Sequence, residues 1–427
     1  MRTPKARDRR MANWVCFSAA VKQAPQVSLM HLLSTCPFLI HYCVLEDRMI
    51  RRGFLKNMLG AAWTGGTLLE QAVFRATQAR AQSAGAPTSL FAIEKVADGI
   101  YAAIAKPTAL INCNAAIFEN SSDLLIVDTH SKPSAVVALV SQLKKEVAAK
   151  PVRYIVNSHF HWDHTQGSPT YRKISLHADI VSSVATRRLL AENGAARLRA
   201  SVEDARKSLD GLKVKLAAAK TPEAKAHFTT AISETNAYLR EMANYAPELP
   251  NVTTDGRLVI HDKAHELHIV FSGRAHTAGD VAVFCPQKKV IATGDALHGF
   301  MPYMFDCYPR EWPATLRGWA KMDFAHVIPG HAAVQHSKDR FTHMAGYIEE
   351  LTDAVVKGKD AGRTAEQLQQ TIKPASLKSL TRDGYGDFLG DSLRKYRFLD
   401  PALSKADIVS DGVKENIAHI YGALGRA

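Results

Sequence analysis

A chain of 427 residues with 46% apolar side chains can bury a large core, and no apolar run in it approaches a membrane span. The formal charge of +13 would suit a nucleic-acid partner, but residues 1–81 hold 12 Lys/Arg against 4 Asp/Glu, a net of +8 that leaves +5 on the other 346. No basic stripe remains in the body of the chain, so no nucleic-acid partner is expected.

The basic leader is itself patterned. Arg51-Arg52-Gly53-Phe54-Leu55-Lys56 is a twin-arginine motif, followed by mildly apolar residues 57–69 and by small residues for cleavage at Ala79-Arg80-Ala81. Met49 stands two residues before the arginines. Residues 1–48 therefore read as an upstream extension from a misplaced start, and 49–81 as a signal peptide. On that reading the twin-arginine translocase is a partner during export. The mature protein is then periplasmic or secreted, without a membrane anchor. Cys16, Cys36 and Cys43 fall in the extension; Cys113, Cys285 and Cys307 remain, an odd number at irregular spacing that reads as buried free thiols.

A first domain is expected over 82–336. Asp98-Gly99 is a turn between strand formers, and Asn112–Glu119 and Leu124–Val127 read as strands across an Asn-Ser-Ser-Asp turn. Ser134–Ala149 has helical apolar spacing and leads to Val152–Val156, a short β-branched run bounded by Pro151. From about 179 to 249 the composition turns to Ala, Leu, Lys, Arg and Glu, and Thr221-Pro222-Glu223 is a helix-start signal. A helical hairpin inserted into the domain is expected there, either a packed arm or a lid or homodimer contact. Further strands are expected at Leu267–Phe271, Val281–Phe284 and 289–295. Beyond His331, residues 337–427 read as helical, with amphipathic spacing at Asp339–Val356, Thr364–Ile372 and Val413–Leu424. Alternating strands and helices, repeated, suggest two sheets packed face to face with helices outside, an α+β fold.

The chemistry concentrates at strand ends. Ser158-His159-Phe160-His161-Trp162-Asp163-His164 follows the Val152–Val156 strand, with three histidines and one carboxylate in six residues. Imidazole with carboxylate suits zinc, iron or manganese, and four such groups exceed what one closed site takes from one loop. Asp128, Asp295 and His331 each close a strand-like run in the same manner, and His276 lies in a Gly-flanked loop between two such runs. This ordered set, an Asp, HxHxDH, a His, an Asp and a His, resembles the metallo-β-lactamase superfamily over roughly Leu90 to Gln335.

The resemblance implies an αββα sandwich whose strand-end loops meet at one edge. It implies that His159, His161 and His276 hold one metal, that Asp163, His164 and His331 hold a second, and that Asp295 bridges two Zn2+, with iron or manganese as alternatives. Asp128 takes an outer role, accepting hydrogen bonds and orienting a ligand. Asp163 and His298 are the candidate catalytic side chains, His298 as proton donor to the leaving group, with Tyr303 as its rival on the same apolar loop. The implied activity is an exported binuclear zinc hydrolase in which a metal-bridging hydroxide attacks the carbonyl of a small-molecule lactone, ester, thioester or amide. Asp at 295, as in glyoxalase-type thioesterases and lactonases, stands against a dedicated β-lactamase. Class B-like β-lactamase activity and a mononuclear iron persulfide dioxygenase are the competing readings. His261, His265 and His268 read as solvated strand-edge histidines, and Trp162 as packing beneath the metal loop.

Overall fold

The computed structural model describes residues 90–425; the twin-arginine motif, the cleavage site and Cys16, Cys36 and Cys43 lie outside the described residues. The chain enters through β1 (Phe91–Ala97), β2 (Ile100–Ala105), β3 (Ala115–Glu119) and β4 (Leu124–Val127), then α1 (Pro133–Glu146) and β5 (Val152–Val156). Next come α2 (Trp162–Thr165), α3 (Ser168–Ile174), β6 (Asp179–Ser183), the long helices α4 (Val184–Ala218) and α5 (Pro222–Met242), and β7 (Val252–Thr254). The second half holds β8 (Arg257–His261), β9 (Glu266–Phe271), β10 (Val281–Cys285), β11 (Val290–Gly294), α6 (Trp312–Ala320) and β12 (His326–Pro329). It ends in α7 (Asp339–Asp360), α8 (Ala365–Thr371), α9 (Lys378–Thr381), α10 (Tyr385–Tyr396) and α11 (Lys405–Ala423).

Two sheets result, one of seven strands in the order β1 to β7 and one of five in the order β12-β11-β10-β9-β8. The period-2 alternation of the strands divides their side chains between layers. In β4, Leu124 and Ile126 pack outward with Ala135, Val136, Leu139 and Leu143 of α1, while Leu125 and Val127 face the inter-sheet core with Val281, Val283 and Ile328. Phe284, Ile291 and Val327 point the other way, into the C-terminal helices around Phe341, Tyr347, Leu389 and Ile417. The layers are thus helix, sheet, sheet, helix, and the expected α+β sandwich is the observed architecture.

Several boundaries differ from those read in the sequence. Asn112–Asn114 is not strand, and the segment expected to turn helical at Asp179 begins with β6, whose Ile180–Ser183 are buried beside β5. The helical hairpin starts at Val184, and Thr221 caps α5 by accepting from Ala224 N–H at 3.2 Å. Besides the short α2, α3 and α9, two further helices carried no clear sequence signal. One, α6, is only nine residues long. The other, α10, contains Gly386 and Gly390, poor helix formers. Gly390 has a packing reason: a Cβ there would lie 3.3 Å from Val409 of α11. Among the described residues no helix is long and apolar enough to cross a membrane. Cys113 and Cys285 are free and buried, and Cys307 is buried.

Candidate metal centre

Parallel pairing of β4 with β5 and of β11 with β12 brings the carboxyl ends of four strands to one edge of the sandwich. Asp128 follows β4, residues 158–164 follow β5, Asp295 follows β11 and His331 follows β12, while His276 comes from the β9–β10 loop. The last two strands sit very close. Gly294 has φ +52°, and a Cβ on it would lie 2.2 Å from Ser158 Oγ; a Cβ on Gly330 would lie 2.0 Å from Asp295 Oδ1. Only glycine permits that approach. Asn114 ties the first sheet to the His331 loop, its Nδ2 donating to the Pro329 and Ala332 carbonyls at 3.0 and 2.8 Å.

Seven donors converge there, all buried: His159, His161, Asp163, His164, His276, Asp295 and His331. Three groupings place their ligand atoms within 4.8 Å of one another: His159 with His161 and His276, Asp163 with His164 and His331, and His159 with His164 and Asp295. His161 Nδ1 lies 2.9 Å from His276 Nε2. Asp295 is central, with Oδ1 3.4 Å from His164 Nε2 and Oδ2 3.4 Å from His331 Nε2 and 3.6 Å from His276 Nε2. His159 and His161 come from the loop, but Asp163 and His164 lie on the one-turn helix α2, which turns their side chains back toward it.

The donors are paired in charge as a metal site requires. Burial, followed by neighbouring imidazoles, holds His159 and His276 well below the usual histidine range, so both are neutral with a lone pair to offer. Burial opposes ionisation of Asp295, but His298, His331 and His164 overcome it and hold the carboxylate well below its ordinary range. Asp163 is likewise lowered against its burial, by His164 and His331. His159 Nε2, His164 Nε2 and Asp295 Oδ1 are buried without a hydrogen-bond partner. A buried orphan of this kind costs about 1–3 kcal/mol. Against their burial, Asp295 raises His164 and His331, so these two would give up a proton to a cation. With the neutral imidazoles, the ionised carboxylates and the orphaned atoms they fit a borderline or hard divalent ion.

Outer partners fix the ring orientations. Asp128 Oδ1 accepts from Ser158 N–H at 2.8 Å, and its Oδ2 accepts from Ser158 Oγ and from His164 Nδ1, both at 2.8 Å. His161 donates from Nε2 to Asp306 Oδ2 at 2.9 Å, which leaves Nδ1 facing the cluster. Asp306 also accepts from Arg197 of α4 at 2.7 Å, so the base of the helical hairpin is tied to a candidate ligand. Asp306 carries no signal in sequence; its role exists only because the loop after Asp295 returns under α4. D306A is expected to weaken metal affinity at the His161 set by about 10- to 100-fold, with D306N closer to wild type because the amide oxygen still accepts. Chelator competition would measure this, and equal affinities for D306A and wild type would sink it.

His298 is buried, with Nε2 2.9 Å from Asp295 Oδ2. Burial lowers its pKa, with Asp295 acting in the opposite sense. The ring is thus first a partner of Asp295. Tyr303 is half exposed at the cavity mouth, and burial pushes its hydroxyl up to about 12.

The sequence model of the metallo-beta-lactamase superfamily matches residues 109–333, more than half of the chain. The chain belongs to that superfamily. Among solved structures, a sec-alkylsulfatase, Pisa1 from Pseudomonas sp., is 15% identical with a TM-score of 0.55; the alignment covers 79% of this chain and 51% of that one, about half its length. A metallo-beta-lactamase from Pontibacter korlensis is 16% identical over 61% of this chain and 99% of its own, with a TM-score of 0.45. The DIM-1 metallo-beta-lactamase is 16% identical over 61% and 97%, with a TM-score of 0.43. At 15% identity the likeness to the alkylsulfatase is one of fold. Superfamily hydrolase architecture and candidate metal-binding His/Asp groups are thus both present in this chain.

Trp162 packs not beneath the loop but against Tyr238 of α5, ring centroids 5.8 Å apart. His265 and His268 are buried rather than solvated, facing Asn120 and Arg257 respectively; only His261 is exposed.

Proposed function

We propose that this superfamily member is an exported binuclear zinc hydrolase that adds water to the carbonyl carbon of a lactone, ester, thioester or amide and breaks its acyl C–O, C–S or C–N bond. The observation that carries the reading is the convergence of seven buried donors into two groups that share Asp295. His159, His161 and His276 would hold one ion, Asp163, His164 and His331 the other, with Asp295 between them. Two zinc ions held there supply Lewis acidity and lower the pKa of water towards neutrality. The chain's own residues do the remainder. Asp128 and Asp306 fix the tautomers of His164 and His161. His298 donates to Asp295 and holds its carboxylate in register. Apolar side chains after Asp295 and from the C-terminal helices exclude bulk water and receive the substrate. The arginine pair at 51–52 supports export, and the exposed tip of the hairpin leaves room for a homodimer contact.

Metal content of protein starting near Gln82, purified without added metal or chelator, tests the reading. About two zinc per chain, with turnover in an ester, lactone and nitrocefin panel, is the expected result; nitrocefin as the best substrate would instead favour the β-lactamase reading. About one iron per chain with little zinc would overturn the proposal in favour of sulfur dioxygenation. H298A is expected to lower kcat about 10- to 100-fold at unchanged metal stoichiometry. A kcat equal to wild type would remove His298 from the chemistry.

A further inference from the structure

A cavity of about 440 Å3 opens directly onto the metal centre, with His161, Asp163, Asp295, His298 and His331 at its base. Its walls come from elements that lie far apart in sequence. Phe300 and Met301 belong to the loop after Asp295, Leu393 to α10, Leu399 to the segment after it and Ile408 to α11. Most of the lining is therefore apolar, as suits a carbon chain.

Two arginines interrupt it, and they differ. Arg197 is ion-paired to Asp306 at 2.7 Å. Arg397 lines the same cavity from the residue after α10, yet among the described residues its guanidinium has neither a carboxylate within ion-pair distance nor a hydrogen bond. Its guanidinium carbon lies 5.8 Å from the Phe300 ring centroid. The same ring stacks on His331, centroids 5.1 Å apart, so one phenyl neighbours both the cation and a candidate metal ligand. Asp411 and Glu415 also face the cavity, but both are solvent-exposed at its mouth, and Asp411 is paired to Lys414. Burial pulls the Arg397 guanidinium below its ordinary range, with Asp163, Glu415 and Asp295 opposing. Arg397 is partly exposed, so water meets some of its guanidinium, but a cation without a direct partner against an apolar wall still carries a desolvation cost in the free protein. A ligand that supplies the missing oxyanion recovers the cost, and a guanidinium fork suits a planar or tetrahedral oxyanion.

We propose that Arg397 is the anion-binding residue of this cavity, and that the substrate is an anionic amphiphile. Its apolar chain lies along Phe300, Met301, Leu393 and Ile408, its carboxylate or sulfate meets Arg397, and its scissile bond lies over the metal centre. This rests on the hydrolase reading and narrows it from any carbonyl substrate to one bearing a remote negative charge.

The test compares 4-nitrophenyl hydrogen suberate with 4-nitrophenyl octanoate, chains of equal length ending in carboxylate or methyl. Wild type is expected to favour the suberate ester through KM. R397Q should raise that KM about 10- to 100-fold, with kcat and the octanoate ester little changed, and R397K should recover part of the loss. Equal losses on both esters, or no loss on the suberate ester, would overturn the proposal. Calorimetric binding of octanoate, octyl sulfate and octanol gives a readout that needs no turnover. Anion affinities should fall at least tenfold in R397Q with octanol unchanged, and the stronger of the two anions identifies the headgroup. Anions that bind wild type no better than octanol, or R397Q as well as wild type, would sink Arg397 as the subsite even if R397Q folds poorly. Loss of anion binding in R397Q with neither ester cleaved would instead sink the hydrolase reading and leave the anion site standing.

Discussion

D295A is expected to lose at least one metal equivalent per chain and to lower kcat/KM by about 1000-fold or more, equivalent to about 4 kcal/mol of transition-state stabilisation. Asp295 faces both ligand sets, so no other single side chain touches so much of the site. It lies 2.9 Å from His298, 3.4 Å from His164 and His331, and 3.6 Å from His276. Among the described residues its carboxylate is the only negative charge within reach of both histidine groups. Alanine would leave those imidazoles without a counter-charge for either cation. D295N preserves shape and should fare nearly as badly, because a neutral amide offers a weaker donor and turns an N–H toward one set. Elemental analysis of the purified variant beside steady-state kinetics decides the matter. Two equivalents of metal with activity near wild type would show that Asp295 is not shared between the sets.

D128A is expected to act on both stability and metal binding. Asp128 is 2% exposed and accepts three hydrogen bonds, two from Ser158 and one from His164. Removing it strands those donors in the interior, at about 1–3 kcal/mol each, so a loss of about 3–5 kcal/mol is expected in the metal-free protein. Metal affinity should fall about 10- to 100-fold because nothing then holds His164 with its proton on Nδ1 and its lone pair on Nε2. D128N separates the two effects. An amide can no longer accept all three bonds, and an amide N–H aimed at Nδ1 would favour the opposite tautomer of His164. A modest fall in thermal midpoint with a large loss of metal affinity is therefore expected for D128N. Asp128 also sits at φ +68°, a region that Asp and Asn tolerate better than Ala, which adds to the difference. Melting by circular dichroism and zinc competition would measure the two arms. Unchanged metal affinity in both variants would reduce Asp128 to a packing residue.

Much of this site was legible because its donors are local in sequence. His159 to His164 fall within six residues, and the runs before Asp128, Asp295 and His331 are short, β-branched and bounded, which marks strand ends. What surrounds them was not legible. Asp306 reaches His161, Asn114 reaches the His331 loop and Arg397 reaches Phe300, contacts spanning 145, 215 or about 100 positions with no periodic pattern to announce them. The helix α10 that leads into Arg397 was itself obscured by two glycines, one of which serves a tight approach to α11.

The sequence alone determined the α+β layering and the candidate donors, since alternation within strands and the spacing of histidines are properties of the local chain. The family resemblance implied the donor sets and the outer role of Asp128; only the tertiary structure decided that Asp306 orients His161 and which cation faces the substrate cavity. Those relations depend on strand order and on the return of the C-terminal helices over the sheet edge. The free energy that selects them comes from burying apolar surface across the whole domain, so no short stretch of sequence encodes it.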